Sequence, residues 1–181
     1  MFRLSSCALL TVIVLATVLF SRTASAQELW HGAKYGMSVE ELMAAVPDAH
    51  PVKSESRIKT PAGWADELMQ VDGIGLVNAK FHARLYFLAG HLQQVTLTPD
   101  GLTGYAADLT YQQLITALRS KYGAEASSKS DPSQIMTMKS ADWIHDRTNI
   151  SLILIYSGIN DPHPVLNVNY QVRIAQDADK L

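Results

Sequence analysis

Cysteine is almost missing from this chain: its 181 residues contain one, Cys7. That cysteine sits in a segment with the pattern of a secretory signal. Arg3 supplies the positive start, residues 7–20 (CALLTVIVLATVLF) form an uncharged apolar run, and Ala24-Ser25-Ala26 offers small residues at the cleavage position. Cleavage before Gln27 leaves a mature chain without a thiol, which excludes a disulfide staple, a thiol nucleophile and a thiolate metal site. A chain of about 155 residues must then hold itself together by its core, and at that size it can bury roughly 68–70% of its unfolded surface.

Basic residues are also scarce. The chain has 15 basic and 17 acidic residues, and Arg3 and Arg22 leave with the signal, so the mature net charge is −4. Nucleic acid is an unsuitable partner, because phosphate binding needs a basic excess or stripe. Long hydrophobic runs are absent beyond residues 7–20, a run shorter than the ~20 residues that span a bilayer and followed by the polar Ser21-Arg22-Thr23. Leu4-Ser5-Ser6-Cys7 precedes the apolar run instead of following it, so lipidation is discounted. These features predict a periplasmic or secreted protein with no membrane span in the mature chain.

Linear catalytic motifs are missing too. No G-x-S-x-G, Walker loop or H-E-x-x-H occurs. Ser56 and Lys59 match S-x-x-K, but no S-D-N or K-T-G accompanies them, and the flanking prolines predict a loop or short strand. Gly73 and Gly75 begin a dinucleotide fingerprint whose third glycine position is Asn78, so Asp72-Gly73 reads as a turn. The six histidines, His31, His50, His82, His91, His145 and His163, show no i, i+4 or i, i+2 spacing. His145 and Asp146 are adjacent, which on a strand sends them to opposite faces. No cofactor or metal is expected. An enzyme would need a site assembled through space from residues such as His82, Asp142 and His145.

What the chain does contain is a repeated order of elements. Residues 37–47 (MSVEELMAAVP) and 109–118 (LTYQQLITAL) each start as a capping box, Ser38 with Glu41 and Thr110 with Gln113, after an apolar staple residue, Met37 or Leu109. Leu42 and Val46 match Leu114 and Leu118 on one helical face. Pro47 stops the first helix and Gly123 suits the end of the second. Alternation follows each helix. Phe81, Ala83, Leu85 and Phe87 lie opposite Lys80, His82, Arg84 and Tyr86; Gly90 turns into Gln93, Val95 and Leu97; Ile150, Leu152, Leu154 and Tyr156 alternate, as do Leu166, Val168, Tyr170, Val172 and Ile174. Helix followed by antiparallel strands, twice, predicts an α+β fold of two similar modules at 27–102 and 103–174, with a polar tail at 175–181.

The functional expectation is a sheet face. Outward positions Lys80, His82, Arg84 and Tyr86 on one strand and Asn167, Asn169, Gln171 and Arg173 on the last predict a polar, locally basic surface, with Trp143 as an aromatic anchor. Trp30 and Trp64 are assigned to the core or its edge. A small-ligand carrier is the other alternative. It would need an apolar pocket between helix and sheet, which a core filled by Leu42, Leu114, Phe81, Phe87 and Ile153 excludes.

The strings KYGMSVEELMAAVP and DLTYQQLITALRSKYG, each leading into antiparallel strands, resemble the tandem helix-plus-sheet modules of the beta-lactamase inhibitory protein group. The G-M-S-x-x-E-L helix start is also similar to the SmpA/OmlA outer-membrane assembly lipoproteins. The resemblance covers most of residues 34–174 and implies an exported, non-catalytic protein that binds a protein or cell-envelope component through a sheet surface. The chain departs from the inhibitors in lacking cysteines and from the lipoproteins in lacking a usable lipobox, so neither group's partner carries over.

Overall fold

A computed structural model describes residues 27–132, 136–158 and 160–173. The signal segment, Ile174 and the tail at 175–181 lie outside the described residues. In chain order the elements are β1 (Glu28–Trp30), β2 (Ala33–Lys34), α1 (Val39–Ala45), β3 (His50–Pro51), β4 (Arg57–Thr60), β5 (Gly63–Leu76), β6 (Ala79–Leu88), β7 (His91–Pro99), α2 (Gly104–Tyr122), β8 (Ser127–Pro132), β9 (Thr137–His145), β10 (Thr148–Tyr156) and β11 (Val165–Val172). The fold is α+β. No helix among the described residues is long and apolar enough to cross a membrane.

β1 and β2 form a small hairpin, and the other nine strands form one antiparallel sheet in the order β3-β5-β6-β7-β11-β10-β9-β8, with β4 also on β5. The strands of the first half therefore meet those of the second edge to edge, at β7 and β11. One face of the sheet carries the core. Phe81, Ala83 and Leu85 of β6, Val95 and Leu97 of β7, Leu152 and Leu154 of β10, and Leu166 and Val168 of β11 are all buried there with Leu42 of α1 and Leu114 of α2. Each of these side chains larger than alanine contributes about 1.5–3 kcal/mol when fully buried. The alternation predicted from the sequence holds along these strands.

The helices depart from expectation in an instructive way. α1 starts with the complete capping box: Glu41 N donates to Ser38 Oγ at 3.2 Å and Ser38 N to Glu41 Oε2 at 2.9 Å. α2 starts at Gly104, so Thr110 is buried inside it, no second box forms, and Leu109 is 49% exposed instead of acting as a staple. A close approach determines that earlier start. Gly104 N donates to Asp161 O at 2.8 Å, and a Cβ at Gly104 would collide with Gly158 O. Asp161 in turn accepts from Ser157 N at 2.7 Å and His163 N at 2.9 Å, which stiffens the loop that receives the helix. The end of α2 is as expected, at Gly123 with φ 84°.

Further departures concern β5 and β10. Asp72-Gly73 is not a chain-reversing turn; β5 runs through it with a register shift between Val71 and Ile74, where Gly73 takes φ 69°. Ile153 alternates with the buried Leu152 and Leu154, so it lies on the sheet face away from the helices, not in the core. Trp30 is buried, whereas Trp64 is 52% exposed with Arg57 and Lys59 over its ring.

Gly104→Ala tests the helix anchor. Alanine suits a helix better than glycine by about 1 kcal/mol at most, while forcing the loop away costs about 1–3 kcal/mol as overpacking. The expected outcome is a lower melting temperature, by about 2–4 °C for each kcal/mol lost. A higher melting temperature would mean that the loop yields freely.

Candidate functional site

The helices leave the second face of the sheet uncovered. One row of directly paired residues crosses it from β5 to β8: Gln70, Arg84, Thr96, Asn169, Ser151, Asp142 and Ser127. β6 and β11, whose outward residues were expected to share a surface, are not neighbours; β7 lies between them. It supplies Gln94, Thr96 and Thr98, the side chains that tie the face together. Asn169 Oδ1 accepts from Thr96 Oγ1 at 2.9 Å and Gln94 Nε2 at 3.3 Å, and Asn167 Oδ1 accepts from Thr98 Oγ1 at 3.0 Å.

The face is not basic. Arg84 donates through Nη2 to Glu67 Oε2 at 2.7 Å, and the Glu67 side chain is 2% exposed. Ser54 Oγ donates to the same oxygen at 2.7 Å, and Ser56 Oγ lies 3.3 Å from Tyr86 OH. The segment from Val52 to Ser56 thus straps over the first half of the face, and Val52 N and Glu67 N bond Leu68 O and Ser56 O to hold it there. Burial pushes the Glu67 carboxyl up, but the bonds from Arg84 and Ser54 outweigh it and hold it below 4.5. Burial lifts the Tyr86 phenol above 10. His82 Nδ1 is 2.8 Å from Asp100 Oδ1.

The predicted site residues therefore separate. Lys80 is exposed near the far end of β6, opposite Gly75. His82 and Arg84 face the open side, each with a carboxylate beside it. Tyr86 is 2% exposed beneath the strap, so it cannot serve as a contact residue as expected. Asn169 stands at the centre, and Arg173 is exposed just past β11, where its N–H donates to Arg147 O at 2.6 Å. Trp143 is no anchor. It is 1% exposed on the helix side, with Nε1 donating to Gly123 O at 3.0 Å. Its register partner is the buried Ile150, which explains the orientation.

Sequence reasoning missed an apolar strip. Val165, Ile155 and Met138 are paired in direct register on the uncovered face, and Ile153 lies beside them between Asn167 and Ser140. Val165 is 45% and Met138 44% exposed. The signal was present in residues 150–156 (ISLILIY), where apolar residues occupy both alternating sets although an antiparallel strand with one wet face should alternate apolar with polar. Two hollows flank the strip: one of about 350 Å³ bounded by Arg84, Asn167 and Pro164, and one of about 410 Å³ over Asp142, Asn149, Gln171 and Arg173.

Catalytic groups do not converge here. His82 on β6 and Asp142 on β9 are four strands apart, about 19 Å at ~4.8 Å per strand. Asp142 accepts from Ser127 Oγ at 2.7 Å, and His145 is 3.8 Å from Asp146 and tilted on the Tyr122 ring. Asp146 reaches it because it is in the hairpin turn, with φ 53°, and not on the strand. Ser56 and Lys59 lie at and in β4, with Ser56 turned to Tyr86 and Lys59 to Trp64. Among the described residues no group of three or more His, Cys, Asp or Glu is arranged to hold a metal. Compared with protein-family models, curated proteins and solved structures, the chain has no match.

Glu67→Gln tests the buried pair. A depressed carboxyl stabilises the fold above its unfolded value of 4.5 and ceases to do so as pH falls through its lower folded value. Removing one partner of such a pair, with Arg84 partly solvated, costs about 1–3 kcal/mol at pH 7. Denaturant titrations across pH should show that difference shrinking below about pH 4. A penalty independent of pH would rule the ion pair out as its source.

Proposed function

We propose that this is an exported protein, periplasmic or secreted, that acts by binding another protein or a cell-envelope component through the uncovered face of its sheet, with no chemistry of its own. The observation carrying this reading is the apolar strip of Ile153, Ile155, Val165 and Met138. Side chains of this kind, aligned on three adjacent strands and pointing to water, cost nothing if they are shielded in use and favour aggregation if they are not. Around them stand Asn167, Asn169, Ser140 and the Arg84–Glu67 pair, so the surface has an apolar centre within a polar rim.

The order of the elements supports a two-module reading, with a division near residue 102. Each half has a helix followed by a meander, and the last strands of the two meanders are the ones that pair. The unequal helices, Val39–Ala45 and Gly104–Tyr122, limit how alike the modules are. The signal pattern at residues 1–26 supports export.

Affinity capture from the cell envelope of the source organism tests the reading. Met138→Asp with Val165→Asp places two charges in the strip at exposed positions, and capture of the partner should fall at least about tenfold, which is 1.4 kcal/mol. Leu109→Asp, on the outer side of α2, should capture normally. Undiminished capture by the strip variant, or equal loss in both, would sink the sheet-face assignment.

A further inference from the structure

The polar groups of the uncovered face fall into two sets. Toward β7 they bond one another: Asn169 accepts from Thr96 and Gln94, and Asn167 accepts from Thr98. Nearer the β9–β10 turn they do not. Asn149 and Gln171 are directly opposed, Ser151 is two residues along β10, and none of these three side chains bonds to another group among the described residues. With Ile144, Asp142 and Arg173 they line the hollow of about 410 Å³, a volume within the range of small-ligand sites, about 300–1,000 Å³.

The chemistry of this lining selects among ligands. Asp142 and Arg173 bring one charge of each sign, so the hollow favours neither an anion nor a cation. Two primary amides and a hydroxyl supply both donors and acceptors. Strand geometry spaces their backbones about 5 Å apart across the pair and about 7 Å along β10, a grid on the scale of a sugar ring. Ile144, opposite Asn149 and 47% exposed, adds an apolar surface at the rim.

We propose that this hollow is a binding site for a neutral saccharide of one or two pyranose rings, its hydroxyls bonding the Asn149 and Gln171 amides and the Ser151 hydroxyl while the C–H face of a ring rests on Ile144. Sugar hydroxyls both donate and accept, as the amides do. A ring with polar edges and an apolar face matches a polar hollow with an aliphatic rim. An extended peptide fits less well, because its backbone groups bond the edge of a sheet and this hollow lies over strand faces. The site uses none of the apolar side chains of the strip, so it does not rest on the assignment of the strip to partner binding.

NMR titration of the purified, isotope-labelled protein with maltose, cellobiose and N,N′-diacetylchitobiose tests it, since the side-chain amides of Asn149 and Gln171 give their own signals. Saturable shifts of those signals are expected with at least one of the three sugars, in the millimolar range. Raising the salt from about 0.05 to 0.5 M should change the affinity less than about twofold, because no net charge is neutralised. Asn149→Leu with Gln171→Leu should weaken binding at least about tenfold with an unchanged circular-dichroism melt. If that pair unfolds the protein, Ile144→Glu, which removes the apolar rim at an exposed position, should give a similar loss. No saturable shift up to about 20 mM with any of the sugars, shifts confined to another part of the protein, weakening by salt of about tenfold, or normal binding by a folded variant would each overturn the proposal.

Discussion

The pairing of β7 with β11 is the constraint from which the rest of the molecule follows. Leu97, Thr96, Val95 and Gln94 face Val168, Asn169, Tyr170 and Gln171, so two meanders that would otherwise end in open edges become one sheet. An unpaired edge is a template for aggregation, and joining the edges removes two of them. The same ladder sets both faces. Val95, Leu97, Val168 and Tyr170 point to the helices, and Gln94, Thr96, Asn169 and Gln171 point away. A slip of one residue would put amides in the core and valines in water, so the register is strongly determined. The bonds from Thr96 and Gln94 to Asn169 add a side-chain check on it.

Electrostatics divides the uncovered face at that ladder. On the β5–β6 side, Glu67 is buried and must be paired, because an isolated carboxylate out of water costs several kcal/mol. Arg84 and the Ser54 hydroxyl meet that need, and the strap they hold covers Tyr86. This half satisfies its own polar groups and has little left to offer. On the β9–β11 side, Asn149, Ser151 and Gln171 surround isoleucines and a methionine without a strap over them, so the capacity to bind is concentrated there. Net charge is a poor guide in such a case. The two arginines that made the surface look basic have different fates, Arg84 paired with Glu67 and Arg173 exposed at the strand end.

What the sequence revealed and what it hid follow from the range of the interactions involved. Strand alternation at residues 81–87, 150–154 and 166–172 was legible because period two depends only on which face is buried. Ser38 and Glu41 were legible because their box closes within four residues. Thr110 and Gln113 carry the same pattern, yet the helix begins six residues before Thr110, because Gly104 is drawn onto the Asp161 loop more than fifty residues away. Local capping chemistry yields to such a tertiary contact. Trp143 and Ile153 were misread for one reason: a tryptophan was assigned to the surface and an isoleucine to the core by residue type, when strand parity assigns them the other way. Parity was the more physical criterion. The Glu67–Arg84 pair and the strap could not be read at all, since they join residues 17 apart through a hairpin whose register is irregular.

The two proposed surfaces share strands but not side chains, and that determines how separable they are. β10 gives Asn149 and Ser151 to the hollow and Ile153 and Ile155 to the strip, and β11 gives Gln171 to one and Val165 to the other. A substitution that disturbs the pairing of these strands therefore acts on both surfaces through the ladder they form. Residues off that ladder carry less of this ambiguity. Met138 and Ile144 lie near opposite ends of β9, six residues apart, so an effect at either is ascribed to the nearer surface. The sheet acts as a common support: tightly packed on its helix side and bonded laterally by amides on the other, it gives each surface a rigid floor.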